Sequence, residues 1–147
     1  MIRQTYPVLV LIAFLLLVLT ACSYVEKYWA AFSVRISPRM DLIDCRVSLD
    51  GDFLTGPMFV MKGCPKSYSD ISRCRPSTIE VSWQDKDGSN HEVCAQVAGK
   101  YPDEWKVKGD VIVVIINNDN SYDLEFVVFE GEWNKLKIKR LPPKGQQ

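Results

Sequence analysis

The chain has 147 residues, with 18 Lys and Arg against 18 Asp and Glu and a single histidine, so its formal net charge at neutral pH is +0. A neutral balance argues against nucleic acid or a strongly charged polymer as the general partner, because such binding depends on an excess of positive charge. The length suits one domain with its own core.

Residues 8–19 are uninterrupted apolar side chains, preceded by one positive charge, Arg3, and followed by Thr20, Ala21 and Cys22. Twelve helical residues reach only about 18 Å, well short of the roughly 30 Å hydrocarbon core. That pattern is a signal peptide rather than a permanent span. The segment Leu19-Thr20-Ala21-Cys22 resembles the lipobox of bacterial lipoproteins. The resemblance implies that residues 1–21 are removed, that Cys22 becomes the first residue of the mature chain, and that its sulfur carries a diacylglycerol while its amine is acylated. Several acyl chains hold a protein firmly at a bilayer, whereas one does so marginally. In that family the next residue sorts the protein, and Ser23 implies the outer membrane; the domain is expected to face the periplasm, with the cell surface as the alternative, since nothing in the sequence encodes the orientation. The competing reading is an ordinary secreted protein in which Cys22 has no special role.

Removing 21 of the 147 residues leaves 126, a near-neutral mature chain. Residues 22–38 read as a lipidated tether, with Val25, Trp29 and Phe32 at helical spacing in a short amphipathic helix over residues 23–34. Residues 39–141 read as an all-β domain. Ile43, Cys45, Val47 and Leu49 alternate with polar residues as a first strand, Asp50-Gly51-Asp52 turns the chain, and residues 58–62 follow as a second strand. Residues 64–76 read as a long polar loop. Ile79, Val81 and Trp83 mark a third strand, the turn over residues 85–89 leads to a fourth carrying Val93, Ala95 and Val97, and Cys94 falls on the opposite parity. After a loop containing Trp105, the six β-branched residues 111–116 have the composition of a strand covered on both faces. Tyr122, Leu124, Phe126 and Val128 alternate in a sixth strand, Leu136 and Ile138 in a seventh, and residues 142–147 are a polar tail. About seven short strands with regular turn signals predict a single antiparallel β-sandwich, with a partly closed barrel as the alternative and a meander over the last four strands.

Cys45, Cys64, Cys74 and Cys94 remain in the mature chain, an even number in an oxidising compartment, which reads as two disulfides. Zinc is the weaker reading because the paired Cys-x-x-Cys spacing is missing. Of three connectivities, Cys64 with Cys74 and Cys45 with Cys94 are preferred, although Cys94 sits on the wrong parity for the second.

No catalytic motif stands out. His91 starts a strand beside a turn, no serine lies in a nucleophile elbow, and the carboxylates gather in turns. The turn over residues 85–90 does not match an EF-hand, so no metal or cofactor is expected. The candidates for partner binding are Tyr68 in the long loop, the tryptophans Trp105 and Trp133, and a basic stripe of Lys135, Lys137 and Lys139 able to touch acidic partners or phospholipid headgroups. These features point to a membrane-tethered, non-catalytic protein-binding module, either an accessory part of an envelope or secretion machine or an immunity lipoprotein. The alternatives are a cell-wall or lipid hydrolase working through carboxylates and a small-ligand carrier.

Overall fold

The computed structural model describes residues 29–105, 110–130 and 137–145. Cys22, Ser23, Trp133 and Lys135 lie outside the described residues. Among those described, no helix is long and apolar enough to cross a membrane.

Within the described residues, nine strands form two sheets: β1 (Trp29–Pro38), β2 (Leu42–Leu49), β3 (Asp52–Val60), β4 (Lys66–Cys74), β5 (Thr78–Gln84), β6 (Asn90–Gln96), β7 (Val111–Ile116), β8 (Tyr122–Glu130) and β9 (Lys137–Leu141). The five-stranded sheet has the order β4-β1-β7-β8-β9 and the four-stranded sheet β3-β2-β5-β6. Over the described residues the architecture is all-β and sandwich-like, with no closed barrel. β1 and β7 pair in parallel and every other pairing is antiparallel. The last four strands do not form one meander: β7, β8 and β9 do, while β6 belongs to the other sheet.

Two elements differ from the sequence expectation. Residues 29–34 are strand, not helix, and they open a central strand instead of a tether. Phe32, Val34 and Ile36 are buried at alternate positions, so the period of two over the whole element outweighs the helical spacing of Trp29 and Phe32. The expected polar loop is largely β4. Its pairing with β1 shifts register between Phe32, opposite Ile71, and Val34, opposite Tyr68. That bulge turns two residues three apart toward the core, which hides the strand period in a segment otherwise made of Ser, Lys, Arg and Asp.

The same register rules out the preferred disulfides. Cys74 closes β4 and Cys64 lies just before its start, so about 30 Å of extended strand separates them, against the 7 Å or less that a bridge requires. β5 lies between the strands that carry Cys45 and Cys94, and Cys45 faces the core while Cys94 is exposed on the outer face. Cys45, Cys64 and Cys94 are free thiols. Burial pushes the Cys45 thiol up to about 11. Maleimide labelling of unreduced native protein, followed by peptide mass mapping, is expected to modify Cys64 and Cys94 within minutes and Cys45 only after denaturation. Unmodified Cys64 and Cys94 peptides from that sample would contradict the free-thiol assignment.

Strand polarity gives the sandwich two distinct ends. Every odd-numbered strand runs away from the end at which β1 begins, and every even-numbered strand returns to it. The turns over residues 39–41, 61–65, 85–89 and 117–121 therefore gather at the end remote from Trp29. The turn over residues 50–51 lies at the near end, where Asp50 and Gly51 take φ of 49° and 85°. Positive φ at both central residues is what a two-residue hairpin needs to match strand twist.

The core lies between the sheets. Phe32, Val34, Ile36, Ile112, Val114, Ile116 and Phe126 meet Leu42, Val47, Leu49, Ile79, Val81 and Trp83. Leu42 takes the inward position expected for Ile43 because Asp44, at φ 48°, lies in an irregular stretch of the β2 ladder. β7 is buried on both faces as its composition predicts: Val111 and Val113 form a second small cluster with Val127 on the outer side of the five-stranded sheet.

Candidate binding surface

The hairpin between β2 and β3 leaves β3 as an edge strand, paired on one side only. Leu54, Met58 and Val60 turn toward the core. The intervening large side chains turn to solvent: Phe53 is 70% exposed, Phe59 58% and Met61, just past the strand, 54%. Phe53 and Met61 are eight residues apart, so the apolar column extends about 26 Å down the side of the sandwich. Pro57 sits between them. It carries no N–H, which is tolerated on an edge and discourages strand addition, so this surface offers side chains more than a hydrogen-bonding ladder. Three large exposed apolar groups on one edge make it the candidate contact surface of the domain.

Of the partner-binding candidates read from sequence, Trp105 belongs to the core, not the surface, with 2% exposure. Its ring centroid lies 4.9 Å from Tyr101, 6.1 Å from Phe32 and 6.2 Å from Phe126, and the Arg75 guanidinium stacks 5.0 Å from it. The loop over residues 97–105 thus seals the core with aromatic rings. Tyr68 is half-buried, and its hydroxyl donates to Met58 Sδ at 3.1 Å, beneath the exposed column. Burial pushes its phenol up to about 12. Lys137 and Lys139 are exposed on the edge strand β9. Ile138 between them is 68% exposed, whereas Leu141 supplies the inward apolar position because it pairs with Phe126.

The single histidine is held in the β5–β6 hairpin. His91 Nε2 lies 2.8 Å from Asp85 Oδ2, and the His91 ring stacks on Trp83 at 5.6 Å. Asp85 also accepts the backbone N–H groups of Asp87 and Ser89, which makes it the organiser of its own turn. Hydrogen bonds from Asp87 and then His91 hold its carboxyl well below the usual range, at about 2. A depressed carboxylate stabilises the fold above its unfolded value and loses that contribution as pH falls through its folded value. Asp85→Asn is therefore expected to lower the urea midpoint at pH 6, and the deficit relative to wild type is expected to shrink as pH falls toward 2. An equal deficit at both pH values, measured by tryptophan fluorescence, would contradict this.

The other acidic turns carry similar local duties. Asp41 accepts the Lys62 backbone N–H at 2.9 Å and pairs with Lys86 at 3.2 Å, and both interactions lower its pKa. Asp50 accepts the N–H groups of Ser77 and Thr78. Asp119 is lowered by the Ser121 hydroxyl and backbone, which donate to it. Among the described residues no group of three or more His, Cys, Asp or Glu side chains is placed to hold a metal ion.

Phe53, Phe59 and Met61 were not singled out by the sequence reading. Phe59 and Met61 do carry a signal: in residues 58–61, Met-Phe-Val-Met, both parities are apolar. On an antiparallel edge strand over a single core, one of those parities must face water.

No family model matches the chain, and no curated protein matches it. Among solved structures it is similar to an NMR structure of a protein from Eubacterium rectale, with 9% sequence identity and a TM-score of 0.40, covering 67% of this chain and 88% of that one. A likeness at that level carries no functional information.

Proposed function

We propose that the protein is an outer-membrane-anchored periplasmic lipoprotein whose β domain is a non-catalytic protein-binding module. The observation that carries the binding role is the exposed Phe53, Phe59 and Met61 column on the free edge of β3. A rigid sheet presenting preordered aromatic side chains loses little entropy on association, and aromatic side chains concentrate binding energy. The anchoring rests on the Leu19 to Cys22 segment and on Ser23. The bound protein is either a component of an envelope machine, which the module helps to assemble, or an incoming toxic enzyme, which it neutralises.

Affinity capture from envelope extracts with the mature chain as bait tests the binding role, with the β3 variants treated in the Discussion as the control. The two versions separate genetically. Growth defects confined to strains carrying an active toxin support neutralisation, and a transport defect without any toxin supports assembly. Mass measurement of the chain recovered from membranes tests the anchor, since an unmodified Cys22 thiol or an uncleaved leader contradicts it.

A further inference from the structure

We infer that the β9 corner of the five-stranded sheet is a membrane-facing patch that rests on anionic phospholipid headgroups. The inference builds on the lipid-anchor reading and specifies which face of the domain the anchor brings to the bilayer. On this corner Phe129 and Ile138 form a cross-strand pair, 39% and 68% exposed. Arg140 shares the outer face with Ile138 and Phe129, while Lys137 and Lys139, which pair with Glu130 and the buried Val128, project to the other side of this edge strand; all three basic side chains are exposed. Their acidic neighbours are held at long range: Lys139 Nζ is 3.7 Å from Glu104 and Arg140 is 3.6 Å from Glu125. Exposed pairs of that length contribute little and yield readily to a phosphate. Among the described residues, Glu130, opposite Lys137, is the other carboxylate on the corner. An edge strand that carries large apolar side chains and an arginine on one side and two lysines on the other sets both kinds of group against a bilayer at headgroup level when its edge faces the membrane.

The position of the tether favours a bilayer over an acidic protein. Ser33, Val111, Val127 and Arg140 lie in one line across the sheet. β1 begins four residues above Ser33 and β9 three residues above Arg140, so Trp29 and Lys137 stand at nearly the same height. Three strand spacings separate them, about 14 Å. Cys22 is seven residues from Trp29, a reach of at most about 24 Å. A lipid on Cys22 therefore keeps the Phe129 and Ile138 corner within contact distance of the same bilayer. The turns over residues 39–41, 61–65, 85–89 and 117–121 point away from it, and the β3 column stays on the opposite flank for a protein.

The test uses residues 22–147, which contain the whole core, without an acyl group and with Cys22→Ala, sedimented with phosphatidylglycerol or phosphatidylcholine vesicles. Partition into phosphatidylglycerol is expected to exceed that into phosphatidylcholine at least tenfold. Lys137→Gln with Lys139→Gln is expected to reduce it about 30-fold at unchanged Tm, at about 1 kcal/mol per surface lysine. Ile138→Ser should weaken it severalfold. Equal partition into the two lipids, an unaffected lysine double variant, or capture of an acidic protein by the same lysines without vesicle binding would overturn the inference. Because the assayed chain carries no acyl group, failure here is distinct from failure of the anchor, which the mass of the membrane-derived chain reports separately.

Discussion

Replacing Phe53 and Phe59 together with serine is expected to weaken partner capture about a thousandfold while leaving the fold in place. Both side chains are more than half exposed in the isolated chain, so their removal opens no cavity. Surface substitutions of this kind change stability by about 0.5 kcal/mol or less. In a complex the same rings become buried, and aromatic anchors at the centre of an interface contribute about 2 kcal/mol or more each. Two such losses correspond to roughly three orders of magnitude in Kd. Met61→Ser, at the end of the column, should have a smaller effect. The measurement is titration of the captured partner by isothermal calorimetry, with thermal unfolding of each variant alongside. Undiminished affinity at unchanged Tm would remove β3 as the contact and, with it, the main support for the binding role. A parallel fall in Tm and affinity would instead mean that the rings stabilise the domain itself.

The largest effect on stability is expected at Trp105. Trp105→Ala should lower the unfolding free energy by about 3–5 kcal/mol, the range for deleting a large aromatic side chain from a packed site. Small domains hold only about 5–15 kcal/mol in total, so much of that stability would be lost. The reason is local. Trp105 fills the space between Phe32 on β1 and Phe126 on β8, and Tyr101 and Arg75 pack on its ring. Tyr101 donates its hydroxyl to the Pro76 carbonyl at 2.8 Å, which ties this loop to the β4–β5 connection. Without the indole the loop over residues 97–105 has no apolar centre, and the end of the core that it covers is exposed to water. The indole N–H makes no hydrogen bond among the described residues. Trp105→Phe is therefore expected to cost far less than Trp105→Ala, because it keeps most of the ring contact, leaves a ring face for Arg75 and loses no hydrogen bond. Urea unfolding followed by far-ultraviolet circular dichroism distinguishes the two. Equal destabilisation by Ala and Phe would mean that the nitrogen, not the ring, is what the site holds.

These two sites show how differently the residues could be read in advance. Strands β2, β5, β6, β7 and β8 were legible because each is covered by one core and alternates, or, for β7, is buried on both faces. The turn over residues 85–89 was legible from its Asp and Gly residues, since the backbone they permit is local. Gly88 takes φ of 87° there. Trp105 and Phe53 were not legible in the same way. An aromatic residue in a loop reads identically whether the loop folds over the core or away from it, and an apolar residue on a strand reads as core until its neighbours are known. The candidate surface thus became visible only when β3 was found at an edge.

The cysteines make the same distinction in covalent terms. Their even number, read with the apolar segment of residues 8–19, predicts bridges, although the parity of Cys94 opposes one pairing. The other pairing failed for a reason no spacing reveals: residues 66–74 are extended instead of looped, so Cys64 and Cys74 stand at opposite ends of one strand. β4 is polar because it is an edge strand with one half-buried tyrosine and one buried isoleucine facing inward, and its bulge removes the regular period.

The sequence by itself determined what depends on short-range chemistry: the all-β class, the hairpin turns and the inward face of most strands. Side-chain period and turn conformation are properties of adjacent residues, so they survive without knowledge of the fold. Only the tertiary structure decided what depends on distant segments: the assignment of β6 to the other sheet, the parallel pairing of β1 with β7, the free thiols, the burial of Trp105 and the exposure of Phe53, Phe59 and Ile138. Whether an apolar side chain meets protein or water is set by which strand lies beside it, and that partner is far away in the chain.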